Sequence, residues 1–160
     1  MLRFAANLNT GFKEYPFYER FQKAAELGFG AVELPGLAAF DLEEVVKAAK
    51  AAGVKVVQFN FCDGNMAAGD RGMASHPAKQ AEWRAGVKDA IALAKRMNAR
   101  QINSLAGCVL PDTPRAEQIA YLVENLKWAM PLLAEAKLPM MLEALNPIDN
   151  KGYLLTHTAE

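Results

Sequence analysis

Five polar side chains stand where a buried strand should be apolar: Asn7, Glu33, Gln58, Asn60 and Glu143. Strands of a covered parallel sheet read as nearly continuous apolar runs, so a polar residue among them marks a position with a task. Alternation of side chains places Leu2, Phe4 and Ala6 on one face of the first run, Val32 and Leu34 on one face of the second, and Val57 and Phe59 on one face of the third. If these apolar faces meet covering helices, the five polar residues share the opposite side. Most lie near the carboxyl end of their run, where α/β barrels and open α/β sheets place their sites.

The two carboxylates carry the sharper expectation. Burying an unpaired carboxylate costs several kcal/mol or removes its charge, so Glu33 and Glu143 are predicted to face Arg, Lys or a metal ion. A structural salt bridge is the plainer alternative for both. The amides of Asn7, Gln58 and Asn60 suit hydrogen bonding to a polar substrate, or equally a polar plug that satisfies loop backbone. Asn103 and Ser104 are adjacent, and alternation does not say which faces inward.

A loop of about fifteen residues, Cys62 to His76, follows the third run and contains Ala-Ala-Gly-Asp-Arg-Gly at residues 67–72. Loops of that length in compact domains are commonly functional. Gly69 and Gly72 permit tight turns that could hold Arg71 over a pocket as a fork for a substrate carboxylate, unless Arg71 pairs with Asp70 or another loop acid. His76, before Pro77, and His157 read as surface or helix-start residues. Cys62 and Cys108 have neither zinc-site spacing nor the density of a disulfide scaffold, and read as reduced thiols.

The elements that must position these side chains follow from periodicity. Strands are predicted at residues 2–7, 31–34, 55–60, 101–105 and 139–145, each separated from the next by a helical pattern, which is the signature of a parallel sheet covered by helices. Phe17, Phe21 and Ala24 mark a first helix stopped by Gly28. Asp41 and Glu44 form a capping-box-like start for a second, with Leu42, Val45, Val46 and Ala49 on one face and Gly53 at its end. A third is predicted from Pro77 to Met97 along Trp83, Val87, Ile91 and Ala94. A fourth begins at Pro114 and runs along Ile119, Leu122, Val123, Leu126, Met130 and Leu133, with a kink or early break near Met130 because Pro131 lacks an amide donor.

The whole reads as one domain of 160 residues, whereas a complete eight-stranded α/β barrel takes ~250 residues. Eighteen basic residues balance eighteen acidic ones, so no long-range field draws in nucleic acid. No apolar run approaches the ~20 residues of a membrane span, and the first residues lack a signal-peptide pattern, so a soluble cytoplasmic protein is expected. Neither G-x-G-x-x-G nor G-x-x-x-x-G-K occurs, which argues against a dinucleotide or phosphate loop. A flavodoxin-like binding module and a degenerate fragment without activity are the non-enzymatic alternatives.

Several stretches together resemble the hydroxypyruvate isomerase family of xylose-isomerase-like barrels. They are Leu-Arg-Phe-Ala-Ala-Asn-Leu at residues 2–8, Val32-Glu33, Gln58-Phe59-Asn60, Ala-Gly-Asp-Arg-Gly at 68–72, Leu-Ala-Gly at 105–107, Val-Glu-Asn-Leu-Lys-Trp-Ala at 123–129 and Leu-Glu-Ala-Leu-Asn-Pro at 142–147. The resemblance implies a (β/α)8 TIM-type barrel, of which this chain holds five strands and four helices. It implies an isomerase acting on a small hydroxy-keto acid, interconverting hydroxypyruvate and tartronate semialdehyde, with 2-oxo-tetronates as the alternative substrates. By motif, Glu143 takes the role of metal ligand and acid/base, with Mg2+ or Mn2+ as the ion, while Arg71, Asn7, Gln58, Asn60 and Glu33 are the candidates for binding substrate. The remaining family ligands and a second catalytic glutamate belong to strands six to eight, so the 160 residues alone are expected to be nearly inactive and to self-associate through open sheet edges. Abasic-site nucleases of the same superfamily need several histidines and a basic track, which this sequence lacks.

Overall fold

In the computed structural model, which describes residues 2–159, five strands form a single parallel sheet in the order of the chain, β1-β2-β3-β4-β5. The strands are β1 (Ala6–Asn7), β2 (Ala31–Leu34), β3 (Lys55–Phe61), β4 (Gln101–Leu105) and β5 (Met140–Glu143), and the helices are α1 (Arg20–Glu26), α2 (Leu42–Ala52), α3 (Gln80–Met97) and α4 (Arg115–Ala136). Each connection is a helical crossover, the sequential winding of an α/β barrel. β1 and β5 are the two edges.

Local chemistry sets the helix limits. The Asp41 side chain accepts from the backbone N–H of Glu43 and Glu44 at the start of α2, and Gly53 closes it in the left-handed region. A 3-10 turn at Pro77–Lys79 leads into α3, whose buried stripe is Trp83, Val87, Ala90, Leu93 and Ala94. Asn98 ends it at φ 52°.

Two helical expectations need correction. α4 does not break near Met130 but continues through Pro131 to Ala136. Lys127, Met130 and Pro131 are exposed, so the carbonyl that Pro131 cannot serve can reach water, while Leu133 (2% exposed) keeps the last turn on the core. The buried stripe of α4 is also rotated: it runs Gln118, Leu122, Asn125, Ala129 and Leu133, leaving Val123 and Met130 outside. Two amides sit in that stripe because loops land on it. Gln118 donates to Ser75 Oγ (3.0 Å) and the Cys108 carbonyl (2.6 Å) and accepts from Leu110 N–H (3.2 Å); Asn125 donates to the Ala74 carbonyl (2.8 Å).

The first strand is shorter than predicted. Ala6 pairs with Val32 and Asn7 with Glu33, so residues before Ala5 lie beyond the start of β2 and have no ladder to join; Leu2 and Phe4 are exposed. β5 likewise stops at Glu143. The predicted alternation in β3 fails at Val57, where the register slips: Val56 pairs with Val32, but Gln58 pairs with Glu33. Val56 therefore shares the face of buried Val32, although simple alternation groups it with Gln58.

Candidate functional site

The register brings the polar residues together on one face. Asn7, Glu33, Gln58 and Gln101 are successive partners across four strands, Asn60 is the partner of Asn103, and Glu143 the partner of Leu105. β4 resolves the ambiguity at residues 103 and 104 from both sides at once. Ser104 is held on the helix side, where its Oγ accepts from Trp83 Nε1 of α3 (3.1 Å), and so Asn103 turns to the opposite face.

Asn103, 2% exposed, is the junction of the site. Its Nδ2 donates to Asn60 Oδ1 (3.1 Å) and to Glu143 Oε2 (2.9 Å). The backbone of Glu143 is fixed as well: Tyr153 Oη donates to its carbonyl (2.9 Å) and accepts from Ala106 N–H (2.7 Å). Burial pushes the Tyr153 phenol up to about 12, against the partial relief of the Ala106 bond, so the proton that makes this link stays in place at neutral pH.

The other predicted residues are placed in pairs. Asn7 Nδ2 donates to Glu33 Oε1, while Asn7 Oδ1 accepts from the backbone N–H of Asn9 and Thr10, an Asx-type turn that ends β1. Gln101 Nε2 donates to Gln58 Oε1 (2.6 Å). Among the described residues neither Glu33 nor Glu143 pairs with an Arg or Lys, and each takes an amide donor instead. The reason is exposure, since Glu143 is exposed and Glu33 only half-buried, and a carboxylate in contact with water needs no fixed cation.

Arg71 does not join this group. Its Nε donates to Asn150 Oδ1 (3.1 Å), and its Nη1 to the carbonyls of Met66 (3.3 Å) and Asp70 (2.7 Å), so its link to Asp70 is through backbone. It lines a cleft of about 260 Å³ with Gly69, Ile148, Asp149, Asn150 and Lys151, between the loops that follow β3 and β5. The Asp70 carboxylate accepts from Asn65 N–H (2.8 Å), and Gly72 bridges to Ala106, which ties the long loop down beside β4. A side chain at Gly72, at φ 91°, would meet the Leu105 carbonyl at 2.2 Å, so only glycine allows this approach.

Asp63 was not foreseen among the site residues. Its Oδ2 accepts from Gly36 N–H (3.1 Å), joining the loop after β2 to the end of β3, while Oδ1 is buried with no hydrogen bond. Burial holds its carboxyl above the ordinary carboxylate range; the Gly36 N–H and the nearby Asn60 amide pull it back, and the charge of Glu143 adds to the rise. Its only sequence signal was an acid just past a strand end, inside a loop rich in polar residues.

The arrangement can accept and return a proton at Glu143, whose carboxylate stands at the carboxyl end of β5 on a polar face. Among the described residues no three His, Cys, Asp or Glu side chains gather to hold a metal ion. No helix among those residues is long and apolar enough to cross a membrane.

Parallel strands wound in chain order between helices, with polar groups at their carboxyl ends and no closure from β5 to β1, define part of an α/β barrel. The chain belongs to the xylose isomerase-like TIM barrel family, whose model matches residues 21–160. It is 38% identical to the hydroxypyruvate isomerase of Escherichia coli K12, covering 100% of this chain and 62% of that protein. It is 34% identical to a 2-oxo-tetronate isomerase of Cupriavidus necator, over 97% of this chain and 60% of the relative. A Brucella melitensis structure described as an AP endonuclease of family 2 superposes with a TM-score of 0.92 at 35% identity, covering 99% of this chain and 61% of its own. The chain thus spans about three fifths of the length of these relatives.

Proposed function

We propose that this chain supplies the acid/base carboxylate of an intramolecular isomerase that interconverts hydroxypyruvate and tartronate semialdehyde. The observation that carries the reading is Glu143: a carboxylate at a strand's carboxyl end, on the polar face, anchored by an amide and paired with no Arg or Lys among the described residues. The similarity to hydroxypyruvate isomerase over the full chain supports the same assignment. Balanced charge and two histidines favour a small acid over nucleic acid as partner.

In this reading Glu143 takes a proton from the hydroxyl-bearing carbon next to the substrate carbonyl and returns it to the former carbonyl carbon, with an enediolate between the two transfers, while the hydroxyl proton passes to the former carbonyl oxygen so that the new aldehyde and the new hydroxyl are both neutral. Asn60 and the Asn7–Glu33 and Gln58–Gln101 pairs offer hydrogen bonds to substrate oxygens. Arg71, held through Nε and Nη1 and with no bond at Nη2 among the described residues, offers that nitrogen to the substrate carboxylate at the rim.

We assign Glu143 as one donor to a divalent ion, Mg2+ or Mn2+, whose hard charge suits carboxylate oxygen. The described residues do not amount to an ion site by themselves, and the proton transfers above pass through side chains alone. The resemblance to a 2-oxo-tetronate isomerase favours a second substrate class for the same site.

A chimera tests the assignment. This chain replaces the matching part of the E. coli hydroxypyruvate isomerase, and conversion of hydroxypyruvate and of a 2-oxo-tetronate is assayed with and without Glu143→Gln. Activity that falls by about 100-fold or more on that substitution is the expected result, as for loss of a general base. A folded chimera that is inactive on both substrates, or one indifferent to Glu143→Gln, overturns the proposal.

A further inference from the structure

We infer that Asn103 is the positioning residue of the site: by spending both N–H bonds of its amide, on Asn60 and on Glu143 Oε2, it fixes the direction in which the Glu143 carboxylate is presented for chemistry. This rests on the reading of Glu143 as acid/base and adds to it what aims the carboxylate.

Three features of the fold make Asn103 an aiming device rather than a passive neighbour. It is 2% exposed, so neither water nor another rotamer competes easily for its donors. Its orientation is determined by chemistry, because turning the amide over would set its oxygen against Asn60 Oδ1 and Glu143 Oε2 with no proton between them. Its place on β4 is held from behind by the adjacent Ser104, tied to Trp83 of α3.

Glu143 is then gripped at two points. Tyr153 holds its backbone carbonyl and Asn103 holds Oε2, so the torsions between them have little freedom. A carboxylate that must remove a proton from one carbon and deliver it to the next gains from such a grip, since a small misplacement of the reacting oxygen costs a large factor in rate. Asn60 completes the arrangement by occupying the second N–H, which stops Asn103 from swinging away.

The test uses the full chain with its glutamates labelled with 13C at the carboxyl carbon, followed by NMR. The Glu143 signal is identified by its loss in Glu143→Gln. Asn103→Leu keeps the branched shape and Asn103→Ala truncates it, and both remove the donor; near-ultraviolet circular dichroism reports whether the packing of Trp83 survives. The expected result is a shifted or exchange-broadened Glu143 signal in both, with the other glutamate signals in place. Should an Asn103 variant fail to fold, Asn60→Ala provides the second route: freeing one N–H loosens Asn103 and broadens the same signal without touching Glu143. A Glu143 signal unchanged in the folded Asn103 variants, or in Asn60→Ala where those do not fold, overturns the inference. That result leaves the catalytic reading intact, because the Glu143→Gln chimera judges it separately.

Discussion

Gly86, in the middle of α3, offers a test of how the helix layer is set against the end of β3. Replacing a helix-interior glycine by alanine ordinarily stabilises by about 1 kcal/mol. Here an added Cβ would lie 2.1 Å from Cys62 Sγ, with Phe61 Cδ2 at 3.8 Å. Comfortable contact between such atoms is about 3.5–4.0 Å, so the thiol or the helix must give by more than an ångström. Cys62 has little room to yield: its backbone sits at φ 55°, and its thiol lies 4.0 Å from the Trp83 carbonyl on the same helix. Overpacking of this kind costs about 1–3 kcal/mol, which outweighs the helix-propensity gain and gives a net loss on the order of 1 kcal/mol. Removing the thiol should reverse the sign. In a Cys62→Ala background Gly86→Ala should stabilise by up to about 1 kcal/mol, for a coupling energy of about 1–3 kcal/mol in the double-mutant cycle. Urea unfolding of the four proteins, with free energies from linear extrapolation, measures it. If Gly86→Ala stabilises the parent protein and the cycle is additive, the thiol moves aside freely and α3 is not positioned by Cys62.

Three further outcomes follow from the same contacts. Asp63 is held above its ordinary value of 3.8, so the folded state binds its proton more tightly than the unfolded state. Its contribution to stability is then complete below that value and is lost as pH rises through the raised one. Asp63→Asn should therefore gain in melting temperature over the parent as pH increases from about 3 to 7; a constant difference at every pH would count against this account. Tyr153→Phe strips a partner from both Ala106 N–H and the Glu143 carbonyl, and should destabilise by about 1–3 kcal/mol in thermal unfolding; a loss near zero would show that water replaces the hydroxyl. Burial, reinforced by the charges of Glu82, Asp63 and Asp89, pushes the Cys62 thiol up to about 12, so at mildly alkaline pH an alkylating reagent should modify Cys108 well before Cys62. Mass spectrometry of the native protein reads this directly, and equal labelling of the two would contradict it.

The alternation of strand and helix, the cap at Asp41, the stop at Gly53 and the extents of β2 and β4 were legible from sequence because each depends on residues a few positions apart. The shared face of Glu33, Gln58, Asn60 and Glu143 was legible for the same reason, since two-residue periodicity is a local property of a strand. Family resemblance added the role proposed for Glu143, which periodicity could not provide. What the sequence left open was every question settled between distant segments. Asn103 faces the site only because Trp83 claims Ser104 from the other side. Val56 changes face because β2 and β3 pair with a slip at Val57. Asp63 is buried only because the loop carrying Gly36, 27 residues earlier, folds onto it. Arg71 went to the rim because Asn150, 79 residues away, offers it an oxygen there. Periodicity decides which face a side chain is on, but a hydrogen bond between strands needs their register.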